Sequence, residues 1–119
     1  MRMPFWVLGS AVACAVATGA CAATMAAARP AMTPAGVRFE FLNPDARRVA
    51  LAGSFNQWSA VSHPLARDAR GLWTVVVPLP PGEHLFMYVL DGAWVDPPLA
   101  EDYADDGFGA RNGIVVVPP

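Results

Sequence analysis

The chain has 119 residues and a formal net charge of −2, with ten acidic residues against eight basic ones, all of them arginine. That length allows one domain, and a slightly acidic chain without lysine lacks the basic footprint of a nucleic-acid binder. Both cysteines, Cys14 and Cys21, fall near the N-terminus, so neither a disulfide nor a cysteine metal site is expected in the rest of the chain.

Residues 1–25 read as an export leader. Arg2 supplies a short positive n-region, Phe5 to Val16 an apolar h-region, and Ala20-Cys21-Ala22 the small-x-small shape of a cleavage site. Two alternatives stay open. The uncharged run over residues 4–28 is long enough for an uncleaved membrane anchor, and Thr18-Gly19-Ala20 before Cys21 suits lipidation there, although the expected Leu three residues before the cysteine is missing. Each reading implies an exported protein, periplasmic or in the cell envelope, with membrane contact only through this segment.

Residues 26–36 hold Pro30 and Pro34 and no periodic apolar pattern, and read as a linker. The folded unit is expected over residues 37–117. Val37, Phe39 and Phe41 alternate with Arg38 and Glu40, the period-two signal of a half-buried strand, and Asn43-Pro44-Asp45-Ala46 ends it. A second strand runs from Arg48 to Phe55 and passes into a polar turn, Ser54-Phe55-Asn56-Gln57-Trp58-Ser59, with Phe55 as its inward anchor. Gly53, just before it, allows a close backbone approach or an unusual φ. Ser62-His63-Pro64-Leu65 is an extended connection whose Leu65 plugs the core. Leu72 to Leu79 is a strand rich in β-branched and aromatic residues, closed by Pro80-Pro81-Gly82. Glu83 to Leu90 follows, with Leu85, Met87 and Val89 on one face and Phe86, Tyr88 and Leu90 on the other. Asp91-Gly92 is a two-residue hairpin signal leading to Ala93-Trp94-Val95. Beyond Asp96-Pro97-Pro98 a polar loop leads to a last strand from Ile114 to Val117. With no capped helical periodicity, six or seven short strands predict an all-β antiparallel sandwich.

Catalytic chemistry finds little support. His63 and His84 lie beside no evident nucleophile, and no strained nucleophile elbow is visible. Glu101, Asp102, Asp105 and Asp106 match no calcium loop and read as a solvated stretch. No catalytic residue, metal site or cofactor is expected. Exposed aromatics remain: Trp58 and Trp94 each sit in or just after a turn beside polar residues. An indole covers the C–H flank of a sugar ring while amides take its hydroxyl rim. Taken singly, each indole serves equally well as packing, and Trp73, mid-strand, reads as core or half-covered surface.

The order Val49-x-Leu51-x-Gly53-Ser54-Phe55-Asn56-x-Trp58-Ser59, Pro64-Leu65, Gly71-x-Trp73, Leu79-Pro80-x-Gly82-Glu83-His84, Asp91-Gly92-x-Trp94 and Asn112 resembles the glycogen-binding domain of AMP-activated protein kinase β subunits. It is also similar to the early-set modules of isoamylases and branching enzymes (carbohydrate-binding module family 48). The resemblance implies an immunoglobulin-like β-sandwich that binds α-1,4-linked glucan without cleaving it. Carried over by position, it implies stacking by Trp58 and Trp94, an apolar loop contact from Phe108, and a hydroxyl-bonding amide at Asn112. Where the kinase domain has a lysine before the Asp-Gly turn, this chain has Met87, which cannot donate to a hydroxyl. That departure and the export leader keep a second reading open, an envelope protein–protein interaction module with a degenerate sugar site.

Overall fold

The computed structural model describes residues 28–119. The expected leader over residues 1–25, with Cys14 and Cys21, and all of the 4–28 anchor reading except Ala28 lie outside the described residues. Among the described residues there is no helix. The strands are β1 (Ala31–Thr33), β2 (Gly36–Leu42), β3 (Val49–Gly53), β4 (Ala66–Arg67), β5 (Leu72–Val77), β6 (Gly82–Leu90), β7 (Ala93–Val95), β8 (Asp102–Asp105) and β9 (Arg111–Val117). One sheet has the order β1-β2-β5-β4 and the other β3-β6-β9-β8, with β7 also paired to β6. Every pairing is antiparallel. The two sheets pack as a sandwich of the immunoglobulin-like, early-set kind.

Side-chain alternation decides what lies between the sheets. Val37, Phe39 and Phe41 of β2 are buried, and they meet Val49 and Leu51 of β3, Phe86 and Tyr88 of β6, and Val115 of β9. The aromatic contacts are close: Phe39 to Phe86 is 5.1 Å edge-on, and Phe41 to Tyr88 is 4.9 Å. Burial of each such ring contributes about 1.5–3 kcal/mol. The Tyr88 hydroxyl donates to the Glu40 carbonyl at 3.1 Å, so the buried polar atom has a partner. Burial, followed by the nearby Glu40 carboxylate, pushes the Tyr88 pKa well above the ordinary phenol range.

Several boundaries differ from those read in the sequence. Within the stretch read as a linker, Ala31–Thr33 is a strand: β1 pairs with β2 through Ala31↔Arg38, Met32↔Val37 and Thr33↔Gly36. Its turn is held by the Thr33 hydroxyl, which donates to the Gly36 carbonyl (2.7 Å) and accepts from the Ala35 amide (3.2 Å). An edge ladder needs only backbone groups, so the strand leaves no apolar pattern. The second strand stops at Gly53 instead of Phe55, because Ser54 to Trp58 are already in the turn. The polar loop after Pro98 contains β8, and the last strand starts at Arg111, three residues before Ile114.

The opposite face of the second sheet positions the site. The register Ala52↔Met87, Ala50↔Val89 and Val89↔Trp94 puts these side chains on one outward surface. Asn112, two residues before the Leu85 partner Ile114, shares it.

Candidate functional site

Trp58 is placed by a loop whose geometry is set by one amide. Asn56, only 8% exposed, is the one buried polar side chain among the described residues. Its Oδ1 accepts from the amides of Gly53 (3.0 Å) and Ser59 (3.1 Å). Its Nδ2 donates to the Leu51 carbonyl (3.1 Å) and to His63 Nδ1 (2.8 Å), which assigns His63 an unprotonated Nδ1 in this arrangement. The Trp58 amide donates to the Gly53 carbonyl at 2.9 Å. Within this frame Gln57 and Trp58 adopt left-handed φ values of 56° and 57°, a conformation that costs a non-glycine residue about 1–3 kcal/mol and persists only where the surroundings impose it. Gly53 answers the question its sequence raised: a Cβ there would strike the Phe55 ring and the Leu85 carbonyl, so close approach is its reason. The indole then lies over Ala50, Ala52 and Val89, where two alanines of β3 leave it room.

Trp94 comes from β7. Asp91 and Gly92 have φ values of 49° and 88°, the positive pair of a two-residue hairpin turn. Asp91 Oδ1 pins that turn by accepting from the Arg47 and Arg48 amides at 2.9 and 2.8 Å. The Trp94 side chain is 48% exposed. Phe108, 93% exposed, stands on the loop between β8 and β9. Asp106 Oδ1 organises that loop, accepting from the amides of Phe108 (2.7 Å) and Ala110 (3.1 Å).

All four residues singled out from the sequence, Trp58, Trp94, Phe108 and Asn112, line a single open groove of about 650 Å³. Leu85 and Met87 join the lining; Met87 is 6% exposed, so it forms a packed apolar floor instead of a free side chain. Asp105 and Asp106, read as part of a solvated stretch, belong to the groove wall. Sequence offered only their Asx-type loop spacing as a hint. Trp73 lies apart: it is buried in the sandwich and its Nε1 donates to the Asn43 carbonyl at 2.8 Å. The two histidines also lie outside the groove lining. His63 serves Asn56, and His84 Nε2 is 2.8 Å from the Pro80 carbonyl. Among the described residues no three His, Cys, Asp or Glu side chains are grouped as metal ligands.

The surface is thus a shallow aromatic trough with an amide at one side and an apolar base. A family model described as Carbohydrate-binding module 48 (Isoamylase N-terminal domain) matches residues 25–105. The chain belongs to that family. Over 69 residues this family 48 module is 45% identical to the 1,4-alpha-glucan branching enzyme of Pseudomonas syringae pv. syringae, a match covering 56% of the chain and 9% of the enzyme. It is 45% identical over 47 residues to the branching enzyme of Dictyostelium discoideum, covering 40% of the chain and 7% of the enzyme. Against the branching enzyme of Bacillus caldolyticus it is 44% identical over 54 residues, covering 44% and 8%. The matches therefore span less than a tenth of each enzyme's length. Phe108 and Asn112 lie beyond the family match, so their place in the module's groove rests on the geometry of β8 and β9.

Proposed function

We propose that the module binds an α-1,4-linked glucan, such as glycogen, starch or a maltooligosaccharide, by aromatic stacking and without cleaving it. The observation that carries this reading is the gathering of two indoles, an exposed phenyl ring and a carboxamide around one apolar-floored groove. Indole faces gain dispersion and apolar burial against the C–H flank of a glucose unit, and the Asn112 amide offers both a donor and an acceptor to the hydroxyl rim. Micromolar to millimolar affinity corresponds to about 4–8 kcal/mol, within reach of two stacked rings and a few hydroxyl bonds. The relatives' name, 1,4-alpha-glucan branching enzyme, supports the substrate class.

Titration with maltoheptaose, followed by tryptophan fluorescence, tests the proposal. Saturable quenching or enhancement is expected, and it should be lost in Trp94→Ala. No response at millimolar sugar, or an unchanged response in Trp94→Ala, overturns it. Residues 1–25 further support a proposal that the module acts outside the cytoplasm; the mass of the mature protein from its native host checks whether that segment is removed.

A further inference from the structure

The groove carries charge of one sign. Its lining residues include the acidic Asp105 and Asp106 and no basic residue. Both carboxylates are fixed by their own loop: Asp105 Oδ1 accepts from the Gly107 amide at 2.7 Å, and Asp106 Oδ1 from the Phe108 and Ala110 amides. Neither takes part in a salt bridge; the ion pairs among the described residues are Arg38–Glu40 and Arg70–Asp68. Arg111 is the register partner of Asp105, but its guanidinium sits 4.1 Å from the centre of the Tyr103 ring instead of bridging a carboxylate. On the floor, Met87 adds no positive charge.

We propose that this groove admits uncharged glucan and discriminates against phosphorylated glucan, with Asp105 and Asp106 as the specificity-determining residues. The inference rests on the glucan reading given above. A neutral hydroxyl donates to a carboxylate oxygen and gains a charge-assisted bond. A phosphate monoester brings about −1.5 to −2 charges at pH 7 and meets two like charges with no cation between. That repulsion acts across the open groove at low salt, and is screened once the Debye length falls to a few ångströms.

The test compares maltoheptaose with the same sugar bearing 6-phosphate esters, using the full chain at about 20 mM and about 500 mM salt. The phosphorylated sugar is expected to bind about tenfold or more weakly at low salt. The gap should narrow at high salt and in Asp105→Asn/Asp106→Asn, where each Asn keeps the Oδ1 acceptor that holds the loop. Equal affinity for the two sugars overturns this inference and leaves the glucan reading standing. So does a gap that neither salt nor the double substitution changes, because bulk would then be its cause. Binding of neither sugar overturns the glucan reading and this inference with it.

Discussion

Asn56 holds the Trp58 loop through its carboxamide, and Asn56→Ala removes all of those bonds at once. Four hydrogen bonds go: two accepted from Gly53 and Ser59, two donated to Leu51 and His63. The Ser59 amide keeps a second acceptor, the Asn56 carbonyl at 3.2 Å, so three bonds count at full weight. At about 1 kcal/mol net for each, the expected loss is about 3 kcal/mol. Domains of this size have about 5–13 kcal/mol in total, and each kcal/mol lost lowers the melting temperature by about 4–8 °C. The loop also loses what holds Gln57 and Trp58 in the left-handed region, so Trp58 should leave its seat on Ala50 and Ala52. Urea unfolding followed by circular dichroism gives the stability. Maltoheptaose titration of the folded variant gives the functional effect. Val115→Ala is the control: a core truncation costing about 2 kcal/mol on the inner face of β9, the face opposite the groove lining. A several-fold loss of sugar affinity is expected in Asn56→Ala and little change in Val115→Ala. A stability loss below about 0.5 kcal/mol, or equal sugar affinities in the two variants, would refute this role of Asn56.

Phe108→Ala should leave the urea midpoint unchanged, since the ring is almost wholly in solvent, while weakening maltoheptaose binding several-fold; a stability change without an affinity change contradicts the assignment. Gly53→Ala should destabilise by about 1–3 kcal/mol, because the new Cβ meets the Phe55 ring and the Leu85 carbonyl; thermal melts show it. Tyr88 gives a pH dependence. Its folded pKa is raised, so its contribution is complete below the ordinary tyrosine value of about 10 and is lost above it, as the unfolded chain sheds the proton first. Stability should fall by up to about 1.4 kcal/mol per pH unit in that range. With no lysine in the chain to titrate there, Tyr88→Phe should flatten the decline.

The sandwich was legible wherever one strand face is buried and the other wet. Val37, Phe39 and Phe41 of β2 lie as their alternation implies; in β6 Phe86, Met87, Tyr88 and Val89 are all buried, so both of its faces are covered. The Asp91-Gly92 turn was equally readable, because few sequences tolerate two positive φ values in succession. β1 and β8 left no such trace. Ala31–Thr33 is an edge whose ladder uses backbone groups and whose turn rests on the Thr33 hydroxyl, and Asp102–Asp105 mixes charge with Tyr103 in a short ladder against β9. The two indoles of the groove announced themselves as tryptophans set among turn residues, while the contact from Phe108 came from the family resemblance. Its acidic wall did not, because which way the Asp105-Asp106 loop faces follows from the pairing Asp105↔Arg111, a long-range fact. Asn56 was visible as a turn residue; its bond to His63 was not, since that needs the extended return of His63-Pro64 beside β3.

Whether α-glucan binds in the groove lined by Trp58 and Trp94 is read from the indole N–H signals in a proton–nitrogen NMR titration with maltoheptaose. Trp73, buried and bonded to the Asn43 carbonyl, is the internal reference. Saturable shifts of the Trp58 and Trp94 indoles with one common affinity are expected, while Trp73 stays still. Unmoved Trp58 and Trp94 signals at millimolar sugar, or shifts confined to Trp73, would contradict binding in that groove.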